Sequence, residues 1–460
     1  MKRIATCFAA AALTFSAAQS EALAVLPDGR VDFSMYGRMG VAWALNGQLI
    51  QGKTMNLTTE RSIGGRFEEG DYLEPTLTFH VMKVDKDKPN DPYVDVVMTP
   101  AMFARNGSFL GFFSNPAEAL RIELFQMYVE AGNVFTPGLK LWIGARFYRG
   151  TDVHAADYFY FNDLSGQGAG MKYKGLDLAV LVRSAIGDAQ YSFDSTATNA
   201  DTTLDVNRVR TIFVAQYVHK FGPKTSSIQG IAEAHVLPAG KKGGGPELSP
   251  LDYGLVAGVK LHLDFGAGNF NDASVRYGTR IANGAWGGSR TYQTFGPADL
   301  DGHYSGGYGL EVVEHFLVNF GTIASLNGYG VLDVSKSALA TADIKPADAA
   351  AGVVDRTLNW AAGLRGFLYA HKNFHMIAET SIQGRKDGDN LMGTAVKLSL
   401  VPTVVPTGDS TAWGRPHLRA VYTAGFYNQA ASDQLQSPYL RTVGPARVAH
   451  YLGAKTEWWF

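Results

Sequence analysis

The chain has 460 residues, 46% of them hydrophobic, a formal net charge of −1 and one cysteine, Cys7. This charge balance excludes the basic footprint of a nucleic-acid-binding protein and a polybasic membrane patch, so no nucleic-acid partner is expected. Cys7 falls within residues 1–24, which have the pattern of a cleaved leader. The mature chain is therefore expected to lack thiols, disulfides and Cys-ligated metals.

Residues 1–24 predict a secretory signal peptide. Lys2 and Arg3 form a basic start, an apolar run follows, and ALA at 22–24 has the form of a cleavage signal, with a cut a few residues earlier as the alternative. The apolar run is too short to span a bilayer, and no later stretch is long and apolar enough for a transmembrane helix. The predicted organisation is a signal peptide at 1–24 followed by one domain at 25–460.

The clearest strand is 31–43, VDFSMYGRMGVAW. Its odd positions are apolar or glycine and its even positions include Tyr36 and Arg38, so one face is apolar and the other polar. The segment 71–81 repeats this pattern, with Tyr72 on its polar face. A strand of a soluble sandwich looks the same locally, and only repetition along the whole chain favours a barrel.

The alternation recurs throughout the chain and gives about eighteen strands. Short turns such as 371–373 alternate with long connections such as 281–307, and the last strand ends in the aromatic sequence EWWF. Together with 52 glycines, 21 tyrosines and 26 phenylalanines, this pattern is typical of an outer-membrane barrel. We therefore predict an all-β fold, a transmembrane antiparallel β-barrel in the outer membrane of a Gram-negative cell, in contact with the bilayer and its lipopolysaccharide.

The segment 142–170 lies between two predicted strands and has no helix pattern. Its aromatic rings beside Arg and Asp groups suit a sugar, whose C–H faces stack on rings while its hydroxyls need donors and acceptors. Within it, RFYRGTDVHAADYFYFNDLSGQGAG resembles the third-loop segment of the maltoporins, and VDFSMYGRMGVAW resembles their first strand. The resemblance implies a sugar-specific porin, a homotrimer of barrels in which the third loop folds inward and narrows each pore.

The resemblance also implies which residues contact the sugar. Maltoporins guide it along a spiral of aromatic rings flanked by ionisable groups. The matching positions here are Tyr36, Arg38, Tyr72, Glu74, Asp152, Asp157, Phe159, Phe270, Trp413 and Trp459, with Arg146, Arg149 and His154 in the implied constriction loop. Strand parity independently predicts that Tyr36, Arg38, Tyr72, Glu74 and Phe270 face the lumen.

Some positions depart from the family pattern. Phe159 stands where maltoporins have a constriction tyrosine, so it has no hydroxyl to offer a sugar, and Arg149 is displaced by one position. Either Arg61 or Arg66 is the candidate for the arginine associated with the second strand. Because Arg146 and Arg149 lie among carboxylates, they can also brace the loop by charge-assisted hydrogen bonds.

Other functions find little support in the sequence. The spacing of His154, Asp152 and Asp157 is not diagnostic of a metal site, and we expect neither a metal nor a cofactor. Ser165 is not in a G-x-S-x-G elbow, so no enzyme is predicted, and no GxxxxGK[ST] motif indicates energy coupling. Facilitated diffusion of maltose-like or malto-oligosaccharide-like sugars is the predicted function, with a general diffusion porin as the alternative.

Overall fold

The structure is a computed structural model, and it describes residues 23–25, 29–45, 49–57, 63–82, 88–104, 109, 120–184, 209–222, 225–241, 248–284, 290–350 and 352–460. Most of the predicted leader therefore lies outside the described residues, as does Arg61. Leu23–Ala24 forms a two-residue strand that pairs with Asp32 and Phe33.

Eighteen long strands form one antiparallel sheet. The period-two alternation selects strands because successive side chains point to opposite faces. In chain order they are β1 (Val31–Leu45), β2 (Tyr72–Met82), β3 (Tyr93–Ala104), β4 (Leu120–Gly132), β5 (Lys140–Arg146), β6 (Gly166–Tyr173), β7 (Leu176–Ser184), β8 (Val209–Lys220), β9 (Ser227–Leu237), β10 (Asp252–Gly266), β11 (Asn269–Thr279), β12 (Tyr308–Phe320), β13 (Ala324–Lys336), β14 (Arg356–His371), β15 (Phe374–Asp387), β16 (Gly393–Val404), β17 (His417–Tyr427) and β18 (Val448–Trp459).

The sheet closes on itself. Each strand pairs with the next, and β18 pairs back with β1 in a register that sets Tyr36 opposite Trp459 and Leu45 opposite His450. Closure hydrogen-bonds the backbone groups that an open sheet edge would leave unpaired. A strand can cross a bilayer only when its backbone groups are paired in this way. The predicted closed barrel of about eighteen strands is confirmed.

The two faces of the wall differ as predicted. On β12, the outward Val312 is 38% exposed, whereas its neighbours Glu311 and Val313 are each 1% exposed. On β11, Phe270 is buried, whereas Tyr277 is exposed. On these two strands, apolar side chains such as those of Val312 and Tyr277 therefore lie on the outer face, and buried charged side chains such as Glu311 and Asp272 lie on the inner face. Among the described residues, none of the helices has the length and apolar character that crossing a membrane requires.

Short turns lie at one end of the barrel and long connections at the other. The turn 174–175 uses positive φ at both Lys174 and Gly175, as a two-residue hairpin favours, because this twist matches that of the strands. At the same end, 267–268 and 372–373 are equally short. Two connections are exceptions: 405–416 is long and lies at the short-turn end, and 388–392 is short and lies at the opposite end.

The remaining elements are short and lie in the connections. They are the two-residue to three-residue strands Leu49–Gln51, Asp152–Val153, Tyr158–Phe159, Gly240–Lys241 and Leu248–Ser249, the 3-10 turns Arg280–Ala282 and Thr341–Asp343, and the α-helices Pro346–Ala350, Gln429–Asp433 and Pro438–Val443.

Candidate functional site

Glu457, on the inner face of β18 and 2% exposed, is an acceptor shared by several groups. Tyr36 Oη on β1 donates to it at 3.1 Å, Arg415 Nε at 2.9 Å and Arg419 Nη2 at 2.5 Å. A buried carboxylate requires such partners, because removing it from water is costly unless it is paired and hydrogen-bonded. Glu457 therefore joins the first strand, the last strand and the connection 405–416.

A second set of charges lies around the Tyr36 hydroxyl. Arg66 Nη2 and Arg38 Nη1 donate to it at 2.7 and 3.1 Å. These two arginines share two carboxylates: Glu69 lies 2.9 Å from Arg66 Nε and 3.3 Å from Arg38 Nη1, and Asp157 lies 3.7 Å from a nitrogen of each arginine. Positive and negative charges are thus equal in number in this group. Arg66, one of the two arginines that the sequence offered, belongs to it, and Arg61 lies outside the described residues.

A run of rings passes through these charges. Tyr72 and Tyr36 have centroids 6.0 Å apart, and Tyr36 stacks on Trp459 at 6.5 Å with an interplanar angle of 23°. Trp459 meets the His154 ring edge-on at 5.4 Å, and His154 meets Trp413 at 6.0 Å. The predicted aromatic residues of β1, β2, β18 and the connection 405–416 therefore form one continuous series.

Arg149 lies close to the rings of Phe147 and Phe159, which belong to the same connection, 147–165. Its Cζ is 3.8 Å from the Phe147 centroid and 4.1 Å from the Phe159 centroid, and its Nη2 is 3.8 Å from Glu74 Oε1. Tyr72 Oη in turn donates a hydrogen bond to Glu74. Phe159 therefore makes a cation–π contact with the planar guanidinium, a contact that needs no hydroxyl.

A small hairpin holds the remaining predicted loop residues. Asp152–Val153 pairs with Tyr158–Phe159, which sets Asp152 opposite Phe159. Asp152 Oδ2 also lies 3.7 Å from His154 Nδ1. His154 is 8% exposed and its Nε2 lies 3.4 Å from Glu457 Oε1. Residues of this hairpin therefore link the connection 147–165 to Arg38 on β1 and Glu457 on β18.

The connection 147–165 is anchored to strands that are distant from it in sequence. Its buried Tyr158 hydroxyl donates to Glu311 Oε2 at 2.7 Å, and Phe161 N donates to Glu311 Oε1 at 2.8 Å. Further bonds join Tyr160 Oη to Asp272 (2.9 Å), Arg276 Nη1 to Phe161 O (3.2 Å), Lys260 Nζ to Thr151 Oγ1 (2.7 Å) and Arg365 Nη2 to Ala155 O (3.1 Å).

The connection after β1 is anchored in the same way. Lys397 Nζ on β16 lies 2.5 Å from Glu68 Oε2, and the side chains of both are almost fully buried, at 1% and 0% exposure. Lys397 also donates to Asn56 Oδ1 at 2.8 Å, and Gln383 Nε2 on β15 donates to the same oxygen at 3.0 Å. Asn56 and Glu68 are thus held against the inner faces of β15 and β16.

Two predicted residues lie in other groups. Phe270 on β11 packs on the His315 ring at 5.0 Å. Arg146 on β5 lies 3.5 Å from Glu130 and over the Tyr128 ring, both on β4.

Sequence reasoning missed Glu457, although its inward parity on the last strand was a usable signal. It also missed Arg415, for which no local pattern existed.

The described residues contain no group of three or more His, Cys, Asp or Glu side chains arranged to hold a metal ion. Asp157 instead faces arginines. Burial raises the pKa of Asp157, but Arg66, Arg38 and other nearby cations outweigh burial and lower that pKa to about 2. The carboxylate is therefore charged at any physiological pH.

Asp157→Asn should reduce stability only where the carboxylate is ionised. Because the folded pKa lies below the usual value of about 3.9, its contribution is fully present above about pH 4 and is lost as the pH falls through about 2. We expect a difference from wild type of roughly 0.5–1 kcal/mol at pH 7, since Asp157 is partly exposed. Urea unfolding in detergent at pH 7, 5, 3 and 2 measures it.

The matched control is Asp301→Asn, at an exposed position in a connection, which should match wild type across this range. A difference at Asp157 that had vanished already at pH 5 would contradict the assignment of its cationic partners.

A closed antiparallel barrel with an apolar outside and a charged interior defines an outer-membrane channel of the porin class. Residues 31–460 match the family model described as LamB porin. The chain therefore belongs to the LamB porin family, which confirms the resemblance to the maltoporins.

Solved structures of other outer-membrane proteins are similar to this chain. The outer membrane protein OpdK from Pseudomonas aeruginosa has 9% identity and a TM-score of 0.45, with 94% of this chain and 98% of that chain covered. OpdL from the same organism has 8% identity and a TM-score of 0.43, with 94% and 98% covered. Wzi of Escherichia coli, described as a carbohydrate-binding β-barrel, has 12% identity and a TM-score of 0.40, with 93% and 84% covered.

Proposed function

We propose that the chain is a sugar-selective channel that passes carbohydrates by facilitated diffusion. The observation that carries this proposal is the continuous series of rings from Tyr72 through Tyr36 and Trp459 to Trp413, set beside hydrogen-bonding charges. Rings offer stacking surface for the C–H faces of a sugar, and the Arg38, Arg66 and Glu457 groups offer donors and acceptors for its hydroxyls.

Movement through such a channel depends on many weak contacts rather than one strong site. Each ring accepts a sugar face with little regard to orientation, while neighbouring charges exchange hydrogen bonds as the sugar advances. Binding must favour entry yet permit exit, and a series of similar sites meets both conditions. The concentration gradient then drives net transport.

The connection 147–165 supplies the proposed constriction. Its bonds to Glu311, Asp272 and Arg365 on three other strands support a path that folds inward from the wall between β5 and β6. We further propose, from family membership, that three copies assemble as a homotrimer, with lipopolysaccharide around the outer leaflet side of the barrels.

Tyr36→Ala and Trp413→Ala should weaken binding of a blocking sugar. In a planar bilayer, sugar that occupies the channel reduces the ion current in a saturable way. Losing one ring removes stacking of about 1 kcal/mol, so the half-blocking concentration should rise roughly fivefold.

Trp43→Ala and Tyr217→Ala are the matched controls, because both of these rings lie on the exposed outer face. They should leave the half-blocking concentration unchanged. If the inner and outer substitutions raise the half-blocking concentration equally, the proposed sugar contact with the inner rings is wrong.

A general diffusion porin is the second candidate. One observation favours it: Arg149 lies against the Phe159 ring and Arg415 against the Trp459 ring, so both rings already have a cation on one face. If neutral and acidic sugars at millimolar concentration leave the current unchanged while salts pass freely, this second function replaces the first.

A further inference from the structure

Two arginines share the single negative charge of Glu457. Arg415 Nη2 and Arg419 Nη2 lie 2.9 and 2.5 Å from the same oxygen, Glu457 Oε2. Neighbouring inward pairs are matched one to one, with Arg365 on Glu379 at 2.5 Å and Lys397 on Glu68 at 2.5 Å. Compared with these pairs, the group of Arg415, Arg419 and Glu457 therefore carries one positive charge more than its negative charge.

His417 does not compensate for this surplus. Arg419 Nη2 lies 2.8 Å from its Nδ1 and Arg415 Nη1 lies 3.3 Å from its Nε2. A neutral imidazole accepts at one nitrogen only and donates at the other. One of the two arginines therefore faces an N–H group rather than an acceptor.

Burial makes the charge on Arg415 costly. Arg415 is 8% exposed, and burial lowers its pKa to about 9, because the attraction of Glu457 does not offset the burial and Arg419 lowers the pKa further. Arg415 is still charged at neutral pH. An additional anion near it would therefore be favoured.

Arg415 also occupies a stacking surface. Its Cζ lies 4.0 Å from the Trp459 ring centroid, and Tyr36 is stacked on the same ring at 6.5 Å. A neutral sugar that stacked where Arg415 lies would have to displace the guanidinium and return no charge to it. A sugar with a carboxylate could displace it and still pair with it.

We propose that Arg415 and Arg419 form a subsite for acidic saccharides, sugars that carry a carboxylate on the ring, such as uronates. This inference rests on the proposed function, that the channel binds sugars. Arg415 Nη1 donates to Ala412 O at 3.2 Å and to Gly414 O at 2.9 Å, so the carboxylate replaces these backbone acceptors when it pairs with the planar guanidinium groups. The sugar ring uses the adjacent Trp413 and Trp459 surfaces. The two arginines determine specificity, and the remaining rings bind either kind of sugar.

The test compares a trigalacturonate with maltotriose as blockers of single-channel current, at both voltage polarities. For the wild type, the acidic trimer should block at a concentration roughly tenfold or more below that of maltotriose, because charge-assisted hydrogen bonds are about twice as strong as neutral ones. Arg415→Gln and Arg419→Gln should each raise the half-blocking concentration of the acid by roughly tenfold. Block by maltotriose should stay the same or strengthen.

Arg385→Gln is the matched control. Arg385 on β15 pairs with Asp387 at 2.8 Å, so this change removes the same charge elsewhere in the barrel and should leave block by the acid unchanged. Arg415→Lys keeps the charge without the planar fork and should give an intermediate loss. Heat-modifiable electrophoretic mobility checks that each barrel is folded.

The outcomes separate the two proposals. If maltotriose blocks at least as well as the acid, the subsite is overturned and the sugar channel stands. If neither blocks, both are overturned. If Arg385→Gln weakens block by the acid as much as Arg415→Gln does, general attraction of anions replaces the subsite.

Discussion

Glu311→Ala should both destabilise the protein and widen its channel. The carboxylate is 1% exposed and accepts hydrogen bonds from the Tyr158 hydroxyl and the Phe161 backbone N–H, which anchor the connection 147–165 to β12. Removing it takes the shared acceptor away from two buried donors, and a buried donor that loses its acceptor costs about 1–3 kcal/mol. With its anchor weakened, the connection should leave the wall more often, and the single-channel conductance should rise severalfold.

Two conservative variants control for loss of the anchor. Glu311→Gln keeps groups that can bond both Tyr158 and Phe161, so its conductance should remain close to that of wild type, with a modest loss of stability. Tyr158→Phe removes one of the two hydrogen bonds, so its stability and conductance should lie between those of Glu311→Gln and Glu311→Ala. A folded Glu311→Ala barrel with wild-type conductance would show that the connection does not limit the channel.

Most of the fold follows from local sequence. On β11, Phe270 and Asp272 are buried while Val275 and Tyr277 are exposed, as the period-two pattern predicts. Because closure pairs each strand with the next, the order of the strands in the barrel needs no long-range information. The connections differ: nothing in the sequence around 405–416 shows that this segment carries a buried arginine toward β18.

Strand residues of the candidate site follow from parity, whereas residues of the connections, such as Trp413 and His154, were predicted only by the resemblance. Tyr36 and Tyr72 lie on inward faces of neighbouring strands, so parity and resemblance sufficed to bring them together. Glu457 shares the inward face with Trp459 and could have been found in the same way. Arg66 and Arg415 lie in connections, where the position of a side chain depends on contacts with distant strands.

Polar contacts also join these connections to the wall of the barrel. A wall of eighteen strands encloses more space than its own side chains fill. Ion pairs and hydrogen bonds hold the described parts of the connections 46–71 and 147–165 against the wall. We expect the strongest effects of mutation at such pairs, because each joins two parts of the chain that no strand pairing connects.

Glu68→Ala tests the most deeply buried of them. Lys397 would keep its bonds to Asn56 and to Gly65 O but lose Glu68, the carboxylate that lies within ion-pair distance of it in the described structure. Breaking a buried ion pair by removing one member costs roughly 3–5 kcal/mol, because the other charge remains buried without compensation. Urea unfolding in detergent should show a loss near the lower end of this range, together with a larger conductance as the segment 63–68 loses its contact with β16.

The double variant Glu68→Leu with Lys397→Met separates the pair from the packing. Two apolar side chains of similar volume leave no charge buried, and such replacements are often neutral or stabilising by about 1–4 kcal/mol. The double variant should therefore recover most of the stability that Glu68→Ala loses, although it removes more polar groups. If instead the double variant is less stable than Glu68→Ala, the hydrogen bonds from Lys397 to Asn56 and Gly65, rather than the charge balance, hold this connection in place.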